Sequence, residues 1–276
     1  MDTSIISFIG GGNMARSLIG GLIADGTDPS TLWVADASQE QLSAVKEHLA
    51  VNTTTSNLEA AAKADIVILA VKPQILSTVA CELAEVARKH NPLFLSVAAG
   101  IREQDLNRWL GGDATIVRAM PNTPALIQSG ATALIANNKV TQAQRNQAES
   151  IMRSTGLALW LESEAQMDVV TALSGSGPAY YFLIMEALEK AACDLGLAPE
   201  TARLLTLQTG FGATKMALES SDTLEDLRRR VTSPGGTTEQ AIKTLEEGNI
   251  RHLLKEALEA AAHRSAELAD QFGKDI

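Results

Sequence analysis

The chain has 276 residues, enough for about two domains with sizeable cores, and its mixed composition excludes low-complexity and collagen-like architectures. Its 23 Lys and Arg against 33 Asp and Glu give a net charge of −10, which argues against phosphate-backbone binding, so no nucleic-acid partner is expected. Its two cysteines, Cys81 and Cys193, lie far apart without CxxC or His spacing, which predicts buried, reduced thiols, no metal site and a reducing, cytoplasmic compartment.

The first element is a short apolar strand containing Ile5, Ile6, Phe8 and Ile9. No basic segment precedes it, and Gly10, Gly11 and Gly12 stop it abruptly, so it does not read as a signal peptide. Helix-compatible residues follow from Met14. The spacing Gly10-x-Gly12-x-x-Ala15 fits a dinucleotide turn, with Gly10 for the tight bend, Gly12 for close approach of a pyrophosphate and Ala15 for helix-strand contact. The same glycines also suit a purely structural strand-to-helix turn.

A second strand, Leu32 to Ala35, ends in Asp36, about 20 residues past the turn, where a ribose-reading acid belongs. Such an acid favours NAD over a 2′-phosphate unless donors such as Ser38 outweigh its charge. A helix cap before Gln39 to Leu49 is the other reading of Asp36. Asn57 opens a further helical stretch, and Ile66 to Ala70 has the unbroken apolar character of a central parallel strand. Lys72 and Pro73 end it; Lys72 reads as a solvated loop charge. A helix over Ile75 to Lys89, a strand Leu93 to Val97 with exit turn Ala98-Ala99-Gly100, a helix Ile101 to Leu110 and a strand Thr115 to Ala119 continue the alternation. Such alternation predicts a parallel sheet whose exit turns converge on one ligand-binding edge. The two prolines of Met120 to Pro124 make a rigid exit, and strands Ala131 to Ala136 and Leu157 to Leu161 flank a helix near Thr141 to Ser154.

Beyond Glu162 no strand-like run recurs. A short helix, Met167 to Leu173, is expected to end at Ser174-Gly175-Ser176-Gly177, and Pro178 suits the first turn of a helix reaching about Leu195. The chain's longest hydrophobic run, seven residues from Ala179 to Met185, lies in that helix and is too short to span a membrane. Its nearly all-round apolar surface predicts cover by partner helices, in a shared dimer core or a compact bundle. Helices Glu200 to Ser220, Leu224 to Arg230 and Ile250 to Lys274 follow. Between the last two, Ser233-Pro234-Gly235-Gly236-Thr237-Thr238 exposes backbone amides at a helix start, a pocket for a small carboxylate or simply a well-capped turn. Thr237 followed by Gln240 matches a capping box with Thr237 as N-cap.

The segments FIGGGNMA, AVKP, AAGI, RAMPNTPA, SGSGPAY and TSPGGTT, in this order, together resemble the pyrroline-5-carboxylate reductase family. The resemblance runs from Ile5 to the final helix and implies NAD(P)H-dependent reduction of 1-pyrroline-5-carboxylate to L-proline. It implies an α/β protein, with a Rossmann-type, mostly parallel dinucleotide-binding domain over residues 1–162 and an all-helical substrate-binding and dimerisation domain over 163–276. Its cofactor contacts fall on Gly10, Gly11, Gly12, Asn13, Met14, Ala15, the turn Ala37-Ser38, Asn57, Ala70, Val71, Lys72, Pro73, Ala98, Ala99 and Gly100. Asp36 stays beside them as the ribose candidate. Ser233, Gly235, Gly236, Thr237 and Thr238 form the implied substrate loop, with Thr238 orienting the ring nitrogen as the catalytic candidate. NADPH is the implied cofactor and NADH the alternative that Asp36 keeps open. The implied assembly is a homodimer or higher homo-oligomer through the C-terminal helices. A β-hydroxyacid dehydrogenase shares this layout but places a lysine four residues after the last glycine of its helix-opening motif, where this chain has Tyr181. A non-catalytic NAD(P)-binding regulator is the third reading; the complete substrate loop argues against it.

Overall fold

The computed structural model describes residues 4–274. Its strands are β1 (Ile6–Ile9), β2 (Leu32–Ala35), β3 (Asn52–Thr54), β4 (Ile66–Leu69), β5 (Leu93–Ser96), β6 (Thr115–Met120), β7 (Gly130–Ala136) and β8 (Gly156–Trp160). They form one eight-stranded sheet in the order β3-β2-β1-β4-β5-β6-β7-β8. All neighbours run parallel except β6 and β7, which are antiparallel because the short MPNTP connection has no crossover helix to carry the chain back. β3 has no apolar pattern, and the sequence reading has no strand there: its residues, Asn52, Thr53 and Thr54, gain strand structure only by pairing with β2 at the sheet's edge.

Seven helices lie along this part of the chain: α1 (Asn13–Ala24), α2 (Gln39–His48), α3 (Asn57–Ala61), α4 (Pro73–Glu82), α5 (Ala84–His90), α6 (Glu103–Trp109) and α7 (Gln142–Arg153). The single helix expected over Ile75 to Lys89 is thus two, interrupted at Leu83. Residues alternate between the two faces of the sheet, so Ile66 and Ile68 join one buried layer and Val67 and Leu69 the other. The first layer packs Leu18, Leu22, Val45, Ile151 and Met152 from α1, α2 and α7; the second packs Leu76, Val79, Leu83 and Leu106 from α4 and α6 and the loop between α4 and α5. Ser7, buried in the central strand β1, stays satisfied by donating from its hydroxyl to Ala60 O at 2.7 Å.

Beyond the sheet come α8 (Gln166–Val170), α9 (Gly177–Asp194), α10 (Pro199–Glu219), α11 (Leu224–Arg230), α12 (Thr237–Glu247) and α13 (Ile250–Phe272). Packing divides the chain into two compact units, one running to Ser176 and including residues from Ala260 onward, the other Gly177–Glu259. Thus α8 and the second half of α13 belong to the sheet-bearing unit. There Ser265 donates to Asp168 Oδ1 at 2.7 Å, and Arg102 pairs with Asp270. The short helix does not end at Ser174: its backbone tightens no further but widens into a π-helical turn, Thr171–Gly175, closed by Ser176 N donating to Thr171 O at 2.8 Å. A Cβ on Gly175 would lie 2.5 Å from Met120 Cε, so any larger residue there would have to displace the end of the Met120 side chain.

The second unit is built differently. Its α9 and α10 meet with Met185 beside Gly210, and Ala202 is 1% exposed, but much of the large apolar surface is uncovered, with Tyr181 67%, Phe211 63% and Leu218 82% exposed. The cysteines depart from expectation: Cys81 is exposed on α4, just past the buried Val79-Ala80 pair, and Cys193 is half-buried on α9. Both are free thiols. Among the described residues no helix is long and apolar enough to cross a membrane, and no cluster suits a metal ion.

Candidate functional site

The exit turns of β1, β2, β4 and β5 come together at one edge of the sheet-bearing unit, as the parallel register requires. Gly10 has φ +103°, and a Cβ on it would meet Ala70 O at 2.7 Å, so only glycine fits where the first turn crosses the exit of β4. Its N–H donates to Ala35 O at 2.7 Å. Gly12 has the opposite surroundings: a Cβ there would meet nothing within 4 Å. It is also the N-cap of α1 and brings no side-chain cap, so the first amides of a twelve-residue helix are left without a side-chain partner. Ala15 is fully buried against the sheet, and Met14 packs on the same core. Asn13 is exposed, its Oδ1 accepting from Arg16 Nη2 at 2.6 Å. This cradle suits a pyrophosphate by chemistry and by space.

Asp36 sits at the neighbouring turn, half-buried. Its Oδ2 accepts from Gly11 N at 2.8 Å and its Oδ1 from Ser38 N at 2.8 Å. The cap of α2 is therefore Ser38, whose Oγ accepts from Gln41 N, and not Asp36. Ala37 is exposed between them. Asn57, first residue of α3, donates from Nδ2 to Glu82 Oε2 at 2.9 Å. Ala70 and Val71 are half-buried; exposed Lys72 precedes Pro73, which opens α4.

The exit turn of β5 has a support invisible in the sequence. Gly100, at φ +69°, has Phe272 and Leu268 of α13 against it, and a Cβ there would lie 3.5 Å from the Phe272 ring. Arg108 fastens the same end of α13 by donating to Gly273 O at 2.7 Å. A cavity of about 380 Å³ opens between Ala99, Gly100, Thr171, Ser176, Arg264 and Phe272. Thr171 and Ser176 have no cofactor motif around them; only the packing of α13 brings them to this edge. Asn122 ties the MPNTP exit to the π turn, donating from Nδ2 to Ser174 O at 3.0 Å while its Oδ1 accepts from Ala131 N at 2.9 Å. Beside it Arg118, buried in β6, pairs with Glu164.

In the other unit the Ser233 to Thr238 loop is a tight turn, with Gly236 N donating to Ser233 O at 3.0 Å and Gly235 at φ +72°. The expected capping box is absent. Gly236 is the N-cap of α12 and Thr237 is already helical, because the turn places the extended conformation a cap needs on Gly236. Glu239 reaches back in place of Gln240, its Oε2 accepting from Gly235 N at 2.8 Å. A carboxylate therefore already rests on one of the loop's amides. The amides of Thr237 and Thr238, in the first turn of α12, have no side-chain cap; Thr238 is half-buried and Ser233 exposed. Upstream, the Thr223 hydroxyl and then the Arg229 guanidinium hold the Asp226 carboxyl below its ordinary range. The loop and the glycine turn thus share one device, a helix start whose N-cap is glycine and whose first amides have no side-chain cap. None of the four histidines lies in either.

The family described as pyrroline-5-carboxylate reductase dimerisation matches residues 164–268, and that described as NADP oxidoreductase coenzyme F420-dependent matches residues 5–100. The chain is 50% identical over 274 residues to the pyrroline-5-carboxylate reductase of Pseudomonas aeruginosa, covering 99% of this chain and 100% of that one. A solved pyrroline-5-carboxylate reductase from Coxiella burnetii superposes with a TM-score of 0.93 at 52% identity, covering 97% of this chain and 99% of the other. The Plasmodium falciparum pyrroline carboxylate reductase with NADP bound gives 0.87 at 29% identity, covering 98% and 99%.

Proposed function

The chain belongs to the pyrroline-5-carboxylate reductase family, and from that premise we propose how its residues divide the work of the reaction. The activity is reduction of 1-pyrroline-5-carboxylate to L-proline with NAD(P)H, the last step of proline biosynthesis. Membership removes the dehydrogenase and regulator readings, and with them the need for a lysine where Tyr181 stands.

The substrate carries a carboxylate and a cyclic C=N bond, and the protonated C=N is already electrophilic. Bound NADPH, or NADH in its place, supplies a hydride to that carbon. The resulting secondary amine takes its proton from solvent, so no strong side-chain acid is needed, and the protein's contribution is placement and electrostatics. Gly10, Gly11, Gly12, Asn13, Met14 and Ala15 hold the pyrophosphate on the amides of α1; Ala37 and Ser38 face the adenosine end; Asn57, Ala70 to Pro73 and Ala98 to Gly100 line the rest of the cofactor's course. The observation that carries this assignment is the open, uncapped start of α1 at Gly12. On the helical unit, the Gly235 and Gly236 amides are engaged by Glu239 and Ser233 and shape the turn, so the uncapped amides of Thr237 and Thr238 at the start of α12 take the substrate carboxylate, and Thr238, half-buried, presents its hydroxyl to the ring nitrogen.

The assembly is a homodimer or larger homo-oligomer formed through the C-terminal helices, which supplies the cover that α9 and α10 lack in one chain. We place the protein in the cytoplasm, in keeping with its free thiols.

Purified protein mixed with 1-pyrroline-5-carboxylate and either NADPH or NADH, followed by cofactor absorbance, tests the activity; oxidation of neither cofactor overturns it. Replacing Thr238 with Ala tests the site. Turnover is expected to drop by about 10- to 100-fold for loss of one hydrogen bond made in the transition state. Melting temperature and cofactor affinity stay at wild-type values, and wild-type turnover in the variant removes Thr238 from the site.

A further inference from the structure

We propose that Asp36 is a positioning residue, a brace that fixes the phosphate-binding turn against the adenosine-side turn, and that it does not choose between NADH and NADPH. An acid at the end of β2 ordinarily has its carboxylate free for the ribose hydroxyls. Here both oxygens are engaged by backbone N–H groups from two different turns, Gly11 at 2.8 Å and Ser38 at 2.8 Å. Gly11 is buried, and a Cβ on it would lie in van der Waals contact with Val34 at 3.4 Å and Val45 at 3.6 Å. Without Asp36 that donor loses its partner, a cost ordinarily met by the turn moving outward.

The brace works with a second bond. Gly10 N donates to Ala35 O at 2.7 Å, so consecutive amides of the glycine turn are both held by the end of β2, one by backbone and one by the Asp36 side chain. Moving Gly11 turns the peptide that leads into Gly12, whose N-cap geometry aims the first amides of α1. On the other side, the bond to Ser38 N sets the start of α2, where Ser38 caps Gln41. The two ends of a dinucleotide's adenosine-diphosphate half are thereby kept at one fixed spacing. Both carboxylate oxygens are turned toward backbone donors of the two turns, which holds the group in the brace.

The inference rests on the cofactor lying at the glycine turn, and it is tested with and without cofactor. Backbone hydrogen exchange is measured on the cofactor-free wild type and on Asp36→Ala and Asp36→Asn, and NADP⁺ and NAD⁺ binding is measured by calorimetry on all three. The amides of Gly11 and Ser38 are expected to exchange at least about tenfold faster in Asp36→Ala, with exchange in β4 and β5 unchanged. Both Kd values are expected to rise by the same factor, about 5- to 20-fold, leaving their ratio within about twofold of wild type. Asp36→Asn is isosteric, keeps one acceptor oxygen and loses one bond, so it folds and gives an intermediate rise. Steady-state kinetics should show the change in KM for cofactor, with kcat and KM for the imine unmoved. A shift in the NADP⁺ to NAD⁺ ratio of more than about fivefold makes Asp36 a ribose reader and overturns the brace. Unchanged exchange at Gly11 and Ser38, or faster exchange with unchanged affinities, overturns it as well. Wild-type protein that binds neither dinucleotide instead refutes the cofactor assignment, while the exchange data still decide whether the bonds exist.

Discussion

The two units of this chain solve the problem of burial in opposite ways. The sheet-bearing unit closes two apolar layers over both faces of its strands, and residues such as Phe8, Phe94 and Leu69 have no exposed surface at all. The helical unit carries apolar side chains of the same kinds, yet Tyr181, Phe182, Phe211 and Leu218 stand largely in solvent within a single chain. A sheet packed on both faces is self-sufficient, whereas helices apolar on several faces need further helices to cover them. The difference teaches that the first unit closes its core within one chain, whereas the second leaves apolar surface of the kind a dimerisation domain offers to a partner.

The sharpest way to break that comparison is one substitution in each region. Phe211→Asp puts a charge into the face expected to be covered in the oligomer, and the protein should elute at the mass of one chain with turnover reduced by at least about tenfold. Phe94→Ala instead leaves a cavity in a closed core, costing about 3–5 kcal/mol in urea melts that do not vary with protein concentration. If Phe211→Asp remains oligomeric, α10 is not at the interface. A smaller effect comes from Gly10→Ala, which forces a Cβ onto Ala70 O and a side chain into positive φ. Strain of about 1–3 kcal/mol is expected, with Kd for NADP⁺ raised at least about tenfold; unchanged binding by calorimetry means the turn is only structural. The smallest effect sharpens the substrate side. Glu239→Gln keeps an acceptor for Gly235 N but removes the negative charge beside the incoming carboxylate, so KM for the imine should fall about two- to threefold, the size of an exposed charge interaction. A rise in KM would show instead that the charged form holds the loop in shape.

How much of this was legible in the sequence varies by element. Strands β1, β2, β4, β5 and β6 announce themselves as apolar runs because both faces of a parallel sheet are buried, and each was placed within a residue or two. The edge strand β3 was not, because Asn52, Thr53 and Thr54 carry no pattern and become a strand only through β2. Glycine spacing located both helix starts of the site, since Gly10 tolerates no Cβ and Gly12 keeps its space open. It misjudged the cap of α12, however. Thr237 and Gln240 satisfy the capping-box pattern, but the Ser233 to Gly236 turn moved the cap one residue earlier, and Glu239 reaches past it to the amide of Gly235. Likewise Ser174 to Gly177 looked like a helix end, and the chain instead passed through a π turn held by Asn122 from 52 residues away.

By itself the sequence determined the alternation of strand and helix, the converging turns, the anion-binding helix starts and, through its ordered motifs, the chemistry. All of these depend on residues close together along the chain, where periodicity, glycine and proline act directly on the backbone. Tertiary structure alone decided the long-range contacts: that Asp36 gives an oxygen to Gly11, that Phe272 packs against Gly100, and that Cys81 faces outward. The Asp36–Gly11 and Gly100–Phe272 pairings join positions 25 and 172 residues apart, and local pattern says nothing of them because the energy that selects them comes from packing and burial of the whole unit.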